Sequence, residues 1–350
     1  MERKDRGLPM LTRRAAFTLG GGAALSMPAF RRVRAAETLF VNTWGGPWER
    51  AAAKHLFEPF TRDTGIEIRP VSPVSFAKLA AQVRSGAYEF DVTTLGLAEL
   101  VRAHQARLLE PLGPVAEKLN WRGGTFMNGV ASHAFATVLA WNAQKYGDEP
   151  KNWRDFWNLS RLPGPRCMQR YAARVLPLAL LGDGAPMNGL YPLDIERSFR
   201  ALDRIKPQIR VWWTQGQQSA QLLRDGEVDM IAIWHGRVLE LIDDNKSVKM
   251  TWEEAQLERA YWVVARGSPR KELAMRFVEA AVQPERLAGF CKEAGYGPLN
   301  PNAFRYITPA DAERMPTAPQ FADKVFEQDI ENFGGDVAQV TQRFERWVGA

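Results

Sequence analysis

The sequence predicts an α/β protein of two lobes, each a mostly parallel sheet flanked by helices. Three observations carry this. Strand-like and helix-like runs alternate through residues 38–106. Residues 228–234 form a nearly continuous apolar run between turn signals, as in a strand buried on both faces. Two more apolar runs, 134–141 and 259–265, stand where the chain would pass from one α/β half to the other and back. Two passages make a hinge, and a hinge between two lobes makes a cleft. At 350 residues, two cores are the default.

The net charge of +6 does not describe the body of the chain. Residues 1–36 hold eight of the 46 Lys/Arg and two of the 40 Asp/Glu, which leaves 38 of each sign in 37–350. That balance gives no basic face for nucleic acid. Residues 1–36 read as an export signal: Thr12-Arg13-Arg14, a mildly apolar Gly/Ala-rich run over 15–30, then Val33-Arg34-Ala35 before a cleavage point. The twin arginine points to twin-arginine export, with the general secretory route as the alternative. The apolar run is shorter than the roughly 20 residues a membrane span needs. The two cysteines, Cys167 and Cys291, have apolar neighbours and read as buried free thiols, with a single bridge as the lesser reading.

In chain order, 38–44 is a strand and Gly45-Gly46-Pro47 a tight turn, with Pro47 suited to a helix start. A helix follows over 48–64, with Ala52, Leu56, Phe57 and Phe60 on one face and Gly65 as its stop. Strands at 66–71 and 90–95 alternate with helices at 75–84 and 97–106, which argues for parallel pairing with right-handed crossovers. Residues 120–133 read as irregular, 134–141 as a strong strand, 150–158 as helical and 163–171 as a broken loop with a short strand. Residues 172–193 carry no assigned element, and 194–206 is helical. The stretch 208–240 reads strand, polar turn, helix, turn, strand, polar turn, helix. In a parallel sheet both polar turns leave strand carboxyl ends, where ligands bind. Trp213, Gln215, Gln217, Trp234, His235 and Arg237 are therefore expected at one mouth. Strand 259–265, helices 271–282 and 285–293, a turn at 295–300 and a helical C-terminal part complete the chain.

Several stretches resemble the extracellular solute-binding proteins of ABC transporters, in particular the group with the spermidine/putrescine-binding proteins. They are Phe-Val-Asn-Thr-Trp-Gly-Gly-Pro-Trp at 40–48, Phe-Asp-Val-Thr-Thr-Leu-Gly at 90–96, Asn-Trp-Arg-Asp-Phe-Trp at 152–157, Ile-Trp-His-Gly-Arg-Val at 233–238 and Tyr-Gly-Pro-Leu-Asn at 296–300. Their order and spacing, more than any one of them, carry the resemblance over 37–350. It implies the type II periplasmic-binding-protein fold and capture of a small solute between lobes. It also implies delivery to a membrane permease, a periplasmic location after signal removal, and a monomer with no cofactor. The lobes would be 37–135 with 266–310, and 136–265, with 311–350 as C-terminal helices packing on them.

The expected ligand residues are Trp44, Gly45, Gly46 and Gly96 from one lobe and Gln215, Gln217, Trp234, His235, Arg237 and Glu254 from the other. Glycines at strand ends let backbone approach a ligand. Closure would sandwich the solute between Trp44 and Trp234, with Gln217 and His235 as hydrogen-bond partners. The resemblance favours a polyamine. The residues depart from a polyamine site and leave a carboxylate-bearing solute, such as an amino-acid-like or organic acid ligand, as the alternative, because Arg237, and with it Arg166 or Arg170, is expected near the cleft while acids are few. The four histidines are scattered without metal-ligand spacing, and no nucleophile elbow or phosphate loop is present, so no enzyme and no metal site is expected. An exported α/β enzyme and a ligand sensor are the alternatives of other classes.

Overall fold

A computed structural model describes residues 37–119 and 121–350; the export-signal reading falls on residues outside these. Among the described residues eleven strands share one sheet: β1 (Thr38–Asn42), β2 (Glu67–Val71), β3 (Val92–Gly96), β4 (Thr125–Phe126), β5 (Gly129–Asn142), β6 (Arg166–Gln169), β7 (Ile209–Trp213), β8 (Met230–Trp234), β9 (Val248–Val264), β10 (Gly297–Pro298) and β11 (Val325–Glu327). The main order is β2-β1-β3-β9-β5-β8-β6-β7. The trios β2-β1-β3 and β8-β6-β7 are parallel within themselves, as the alternating pattern predicts. Between them β9 and β5 run antiparallel to each other and to their outer neighbours. The lobes thus share one continuous sheet instead of being joined by single crossing segments.

Both crossing strands are longer than the sequence suggests. β5 begins at Gly129, inside the stretch read as irregular, because Ser132 and His133 interrupt its apolar pattern though both are buried. β9 includes Trp252-Glu253-Glu254, ahead of the strand expected at 259–265. The β5–β9 register shifts between Thr137 and Leu139, and Glu254 takes a left-handed φ of 57°, so this polar stretch is a bulge within the strand.

The inner strands of each trio are buried on both faces, while the outer strands β2 and β7 are partly exposed. In β8, Met230 and Ala232 enter one core with Leu176, Phe199 and Phe344, while Ile231 and Ile233 enter another with Leu222 and Val238. In the first lobe Leu39 and Val41 pack with Trp48, Phe60, Phe277 and Phe290, while Leu95 and Val263 pack with Leu79 and Phe90 on the opposite face. Two-sided burial is why these strands read as unbroken apolar runs. Cys167 and Cys291 are free, buried and in cores of different lobes, so no bridge joins them.

Two elements were not legible. The helix Ala172–Gly182 is apolar nearly all round and contains Pro177, so it shows neither an amphipathic stripe nor an unbroken helical pattern; in the fold it is almost wholly buried. A third passage between lobes follows the two crossing strands. Met315 lies in a first-lobe core, the Nε1–H of Trp252 donates to the Glu313 carbonyl at 3.2 Å, Phe321 packs on Trp252, and β11 pairs beside β9. The chain ends in the helix Val337–Gly349, whose Val340 and Phe344 enter the second lobe's core. A chain that starts in one lobe and finishes on the other must cross an odd number of times.

Candidate functional site

The sheet register places the site. Gly96 at the end of β3 lies opposite Ala260 of β9. Trp234 at the end of β8 lies opposite Thr137, which lies opposite Gln256 of β9. The carboxyl ends of the two parallel trios therefore face each other across four residues of β9, about 13 Å at the rise of an extended chain. The cross-strand pair Phe135 and Glu258 forms the floor between them.

Five helices start at these strand ends: Gly46–Ala52, Leu97–Gln105, Ala172–Gly182, Gly216–Arg224 and His235–Asp243. None has a side-chain cap. Six helices starting elsewhere are capped, by Ser75, Asn142, Asn152, Asp194, Thr308 and Asp336, while Pro114–Lys118, Lys271–Ala281 and Pro284–Ala294 are not. Uncapped first turns leave N–H donors and positive helix ends directed at the space between the lobes, a setting for an anionic group.

On the first-lobe side Trp44 is 55% exposed, with its Nε1–H donating to Thr94 Oγ1 at 3.0 Å. Gly45 and Gly46 have φ of 70° and 56°, which the turn into the helix requires. Gly96 has ordinary backbone; its role is space, since a Cβ there would stand 3.0 Å from the Glu99 carboxylate. On the second-lobe side Gln215 and Gln217 are exposed at the start of their helix. Trp234 is half-buried and edge-on to Trp213 at 5.0 Å and to Phe135 at 6.1 Å, a wall of the cleft more than a lid. Arg237 sits in the first turn after Trp234 and pairs with Glu240 at 2.7 Å.

The other expected residues are engaged elsewhere. His235 has no hydrogen bond left for a solute: its Nδ1 accepts from the Ala136 N–H at 3.1 Å and its Nε2–H donates to the Gly295 carbonyl at 2.6 Å. It pins a second-lobe helix to a crossing strand and to the first lobe. Glu254 accepts from the Trp153 N–H at 3.1 Å, at the base of the helix Trp153–Trp157, with its carboxyl raised by burial. Arg166 is buried and donates to the carbonyls of Phe156, Gly164 and Leu162, and Arg170 pairs with Glu345. Trp213 is wholly buried, with its Nε1–H on the Ala232 carbonyl.

Burial lowers the pKa of His235 to about 4. A histidine held below its unfolded value of about 6.5 contributes stability that is fully present above pH 6.5 and lost as pH falls toward 4, by about 1.4 kcal/mol per pH unit. Urea unfolding at pH 7, 5.5 and 4.5 is expected to show a shallower pH slope for His235→Asn than for the native chain. An unchanged slope would remove His235 as a source of the acid sensitivity.

The arginine at the cleft is Arg174, which sequence reasoning missed because it lies on the unrecognised helix Ala172–Gly182. Its Nε and Nη2 both reach Glu258 Oε2 at 2.7 Å, with side chains only 19% and 8% exposed. Three aromatic rings surround the guanidinium: Tyr171 at 4.7 Å, Trp234 at 5.4 Å and Phe135 at 5.7 Å. Glu258 and the rings hold it in one orientation, and among the described residues its Nη1 has no protein partner. Burial raises the Glu258 carboxyl, Arg174 opposes the rise, and the nearby Glu99 adds to it. The site thus has one fixed guanidinium edge, two carboxylates, uncapped helix starts and an aromatic wall.

Comparison with known proteins identifies the family. Residues 55–320 match the family model described as bacterial extracellular solute-binding protein. A γ-aminobutyric acid (GABA)-binding protein of Pseudomonas aeruginosa is 31% identical over 89% of this chain and 91% of its own length. An ABC transporter substrate-binding protein from Bradyrhizobium japonicum superposes with a TM-score of 0.84 at 30% identity, covering 89% of this chain and 99% of the other. A GABA receptor does so with a TM-score of 0.80 at 28% identity, covering 89% and 98%. Proteins of this kind bind a small solute and work with a membrane permease; they are not enzymes. The fold expected from the sequence is the fold found, and the chain belongs to the bacterial extracellular solute-binding protein family.

Proposed function

We propose that this chain captures an amino-acid-like solute, one carrying both a carboxylate and an amine, for an ABC importer. The observation that carries this is Arg174, whose free guanidinium edge lies where five uncapped helix starts converge. A carboxylate there gains charge-assisted hydrogen bonds and favourable helix ends. Glu99 suits the amine, the buried Glu258 carboxylate adds negative charge from the floor, and Trp44 offers the amine an aromatic face. A diamine has no partner for Arg174 and is repelled by it, so the alternative drawn from the residues is favoured over the polyamine drawn from the resemblance. The GABA-binding relatives support the same choice.

On this reading 37–135 with 266–310 forms one jaw, 136–265 the other, and 311–350 packs against them. Residues 1–36 direct export to the periplasm, where the chain acts as a monomer. Closure covers Trp44. The test is thermal unfolding of the chain with GABA, putrescine or glutarate. A bound solute at 100 times its Kd stabilises by about 2.7 kcal/mol, a shift of several degrees for a chain this size. GABA is expected to give it and putrescine to give none; the reverse would restore the polyamine reading. Chemical turnover of the bound solute would favour the enzyme alternative.

A further inference from the structure

Among the described residues four large apolar side chains are exposed, and two of them, Trp44 and Tyr171, stand at the cleft on opposite lobes. An exposed ring ordinarily samples several rotamers. Here each ring is fixed by its one polar atom. The Trp44 Nε1–H donates to Thr94 Oγ1 at 3.0 Å, and the Tyr171 hydroxyl donates to the Thr214 carbonyl at 2.8 Å. Thr94 is buried in β3, opposite Trp262 of β9, and among the described residues its hydroxyl has no other partner. Strand geometry alone would accept valine there, and a buried hydroxyl is costly unless bonded. The anchor of Tyr171 is main chain just beyond β7, so it does not depend on any side chain.

We propose that Thr94 is a positioning residue for solute capture, acting through Trp44, and that the Tyr171 hydroxyl does the same on the opposite lobe. The two rings wait over the cleft in one orientation, and the cost of ordering them is met before the solute arrives. This rests on the cleft being the capture site.

The test uses the full chain with Thr94→Val, Thr94→Ser, Tyr171→Phe and Trp44→Ala. The Trp44 indole N–H, assigned by its loss in Trp44→Phe, is expected to exchange slowly with solvent in the native chain and in Thr94→Ser, and fast in Thr94→Val. By calorimetry with GABA, Thr94→Val and Tyr171→Phe are each expected to raise Kd about three- to tenfold with the apo Tm nearly unchanged, and Thr94→Ser to restore it. Native Kd in Thr94→Val despite fast N–H exchange overturns the proposal, as does an equal loss in Thr94→Ser. Unchanged binding in Trp44→Ala removes Trp44 from the site and the cleft reading with it. If the native chain does not bind GABA, the solute class fails; the tether is then judged by exchange, and slow exchange in Thr94→Val sinks it.

Discussion

Arg174→Ala is expected to abolish solute binding and to lower folding stability by about 3–5 kcal/mol. The second effect follows from what stays behind: Glu258 is nearly buried, and removing its one cation leaves an uncompensated buried charge. The sign of the pH dependence separates this from simple loss of packing. The Glu258 carboxyl is already raised by burial against the pull of Arg174, so losing Arg174 raises it further. A raised carboxyl costs stability above its folded pKa and nothing below its unfolded one. The variant is therefore expected to recover stability as pH falls from 7 toward about 4.5. Urea midpoints across that range check it; a deficit constant with pH would mean that Glu258 is not the charge left behind. The double variant Arg174→Met with Glu258→Gln is expected to regain most of the stability and none of the binding, because shape returns without the guanidinium.

Trp213→Ala is expected to cost about 3–5 kcal/mol, the range for emptying a buried aromatic site, and to weaken binding as well. Trp213 is wholly buried and stands edge-on behind both Trp234 and Tyr171. Removing it takes away the backing of the cleft wall and leaves the Ala232 carbonyl without its indole donor. Phe344→Ala separates the two effects. Phe344 is equally buried, but it packs under Trp212 and Trp347 at the C-terminal helix. It should match Trp213→Ala in the urea midpoint and keep native affinity in the folded fraction. Equal affinity in both variants would mean that Trp213 supports the core and not the wall.

The sequence carried the architecture because two-sided burial writes itself as apolar runs and because a helix stop such as Gly65 has no other use for a left-handed glycine. It carried Trp44 and Trp234 to the cleft because strand carboxyl ends are where α/β sheets bind. It failed where burial hides pattern. The helix Ala172–Gly182 has no polar face to mark it, so Arg174 on its first turn was invisible. Glu258 fell just outside the strand read at 259–265 and was given no role, because a lone acid there looks like any edge polar residue. His235 was placed on the solute by its position next to Trp234. One residue along a helix turns a side chain by about 100°, and that turn takes His235 from the mouth into the hinge. Glu254 lay outside any expected strand because a bulge has no sequence signature of its own.

The odd number of passages between lobes makes the molecule readable from outside. The first helices belong to one lobe and the last helix to the other, so probes on their outer faces ride on different bodies. Arg62 and Gln342 are exposed on those two faces. Both native thiols are buried and held in their unreactive protonated form, leaving cysteines introduced at these two positions as the groups a maleimide dye finds. A donor and acceptor placed there would convert solute capture into a change of colour, with no second chain and no enzyme-coupled readout.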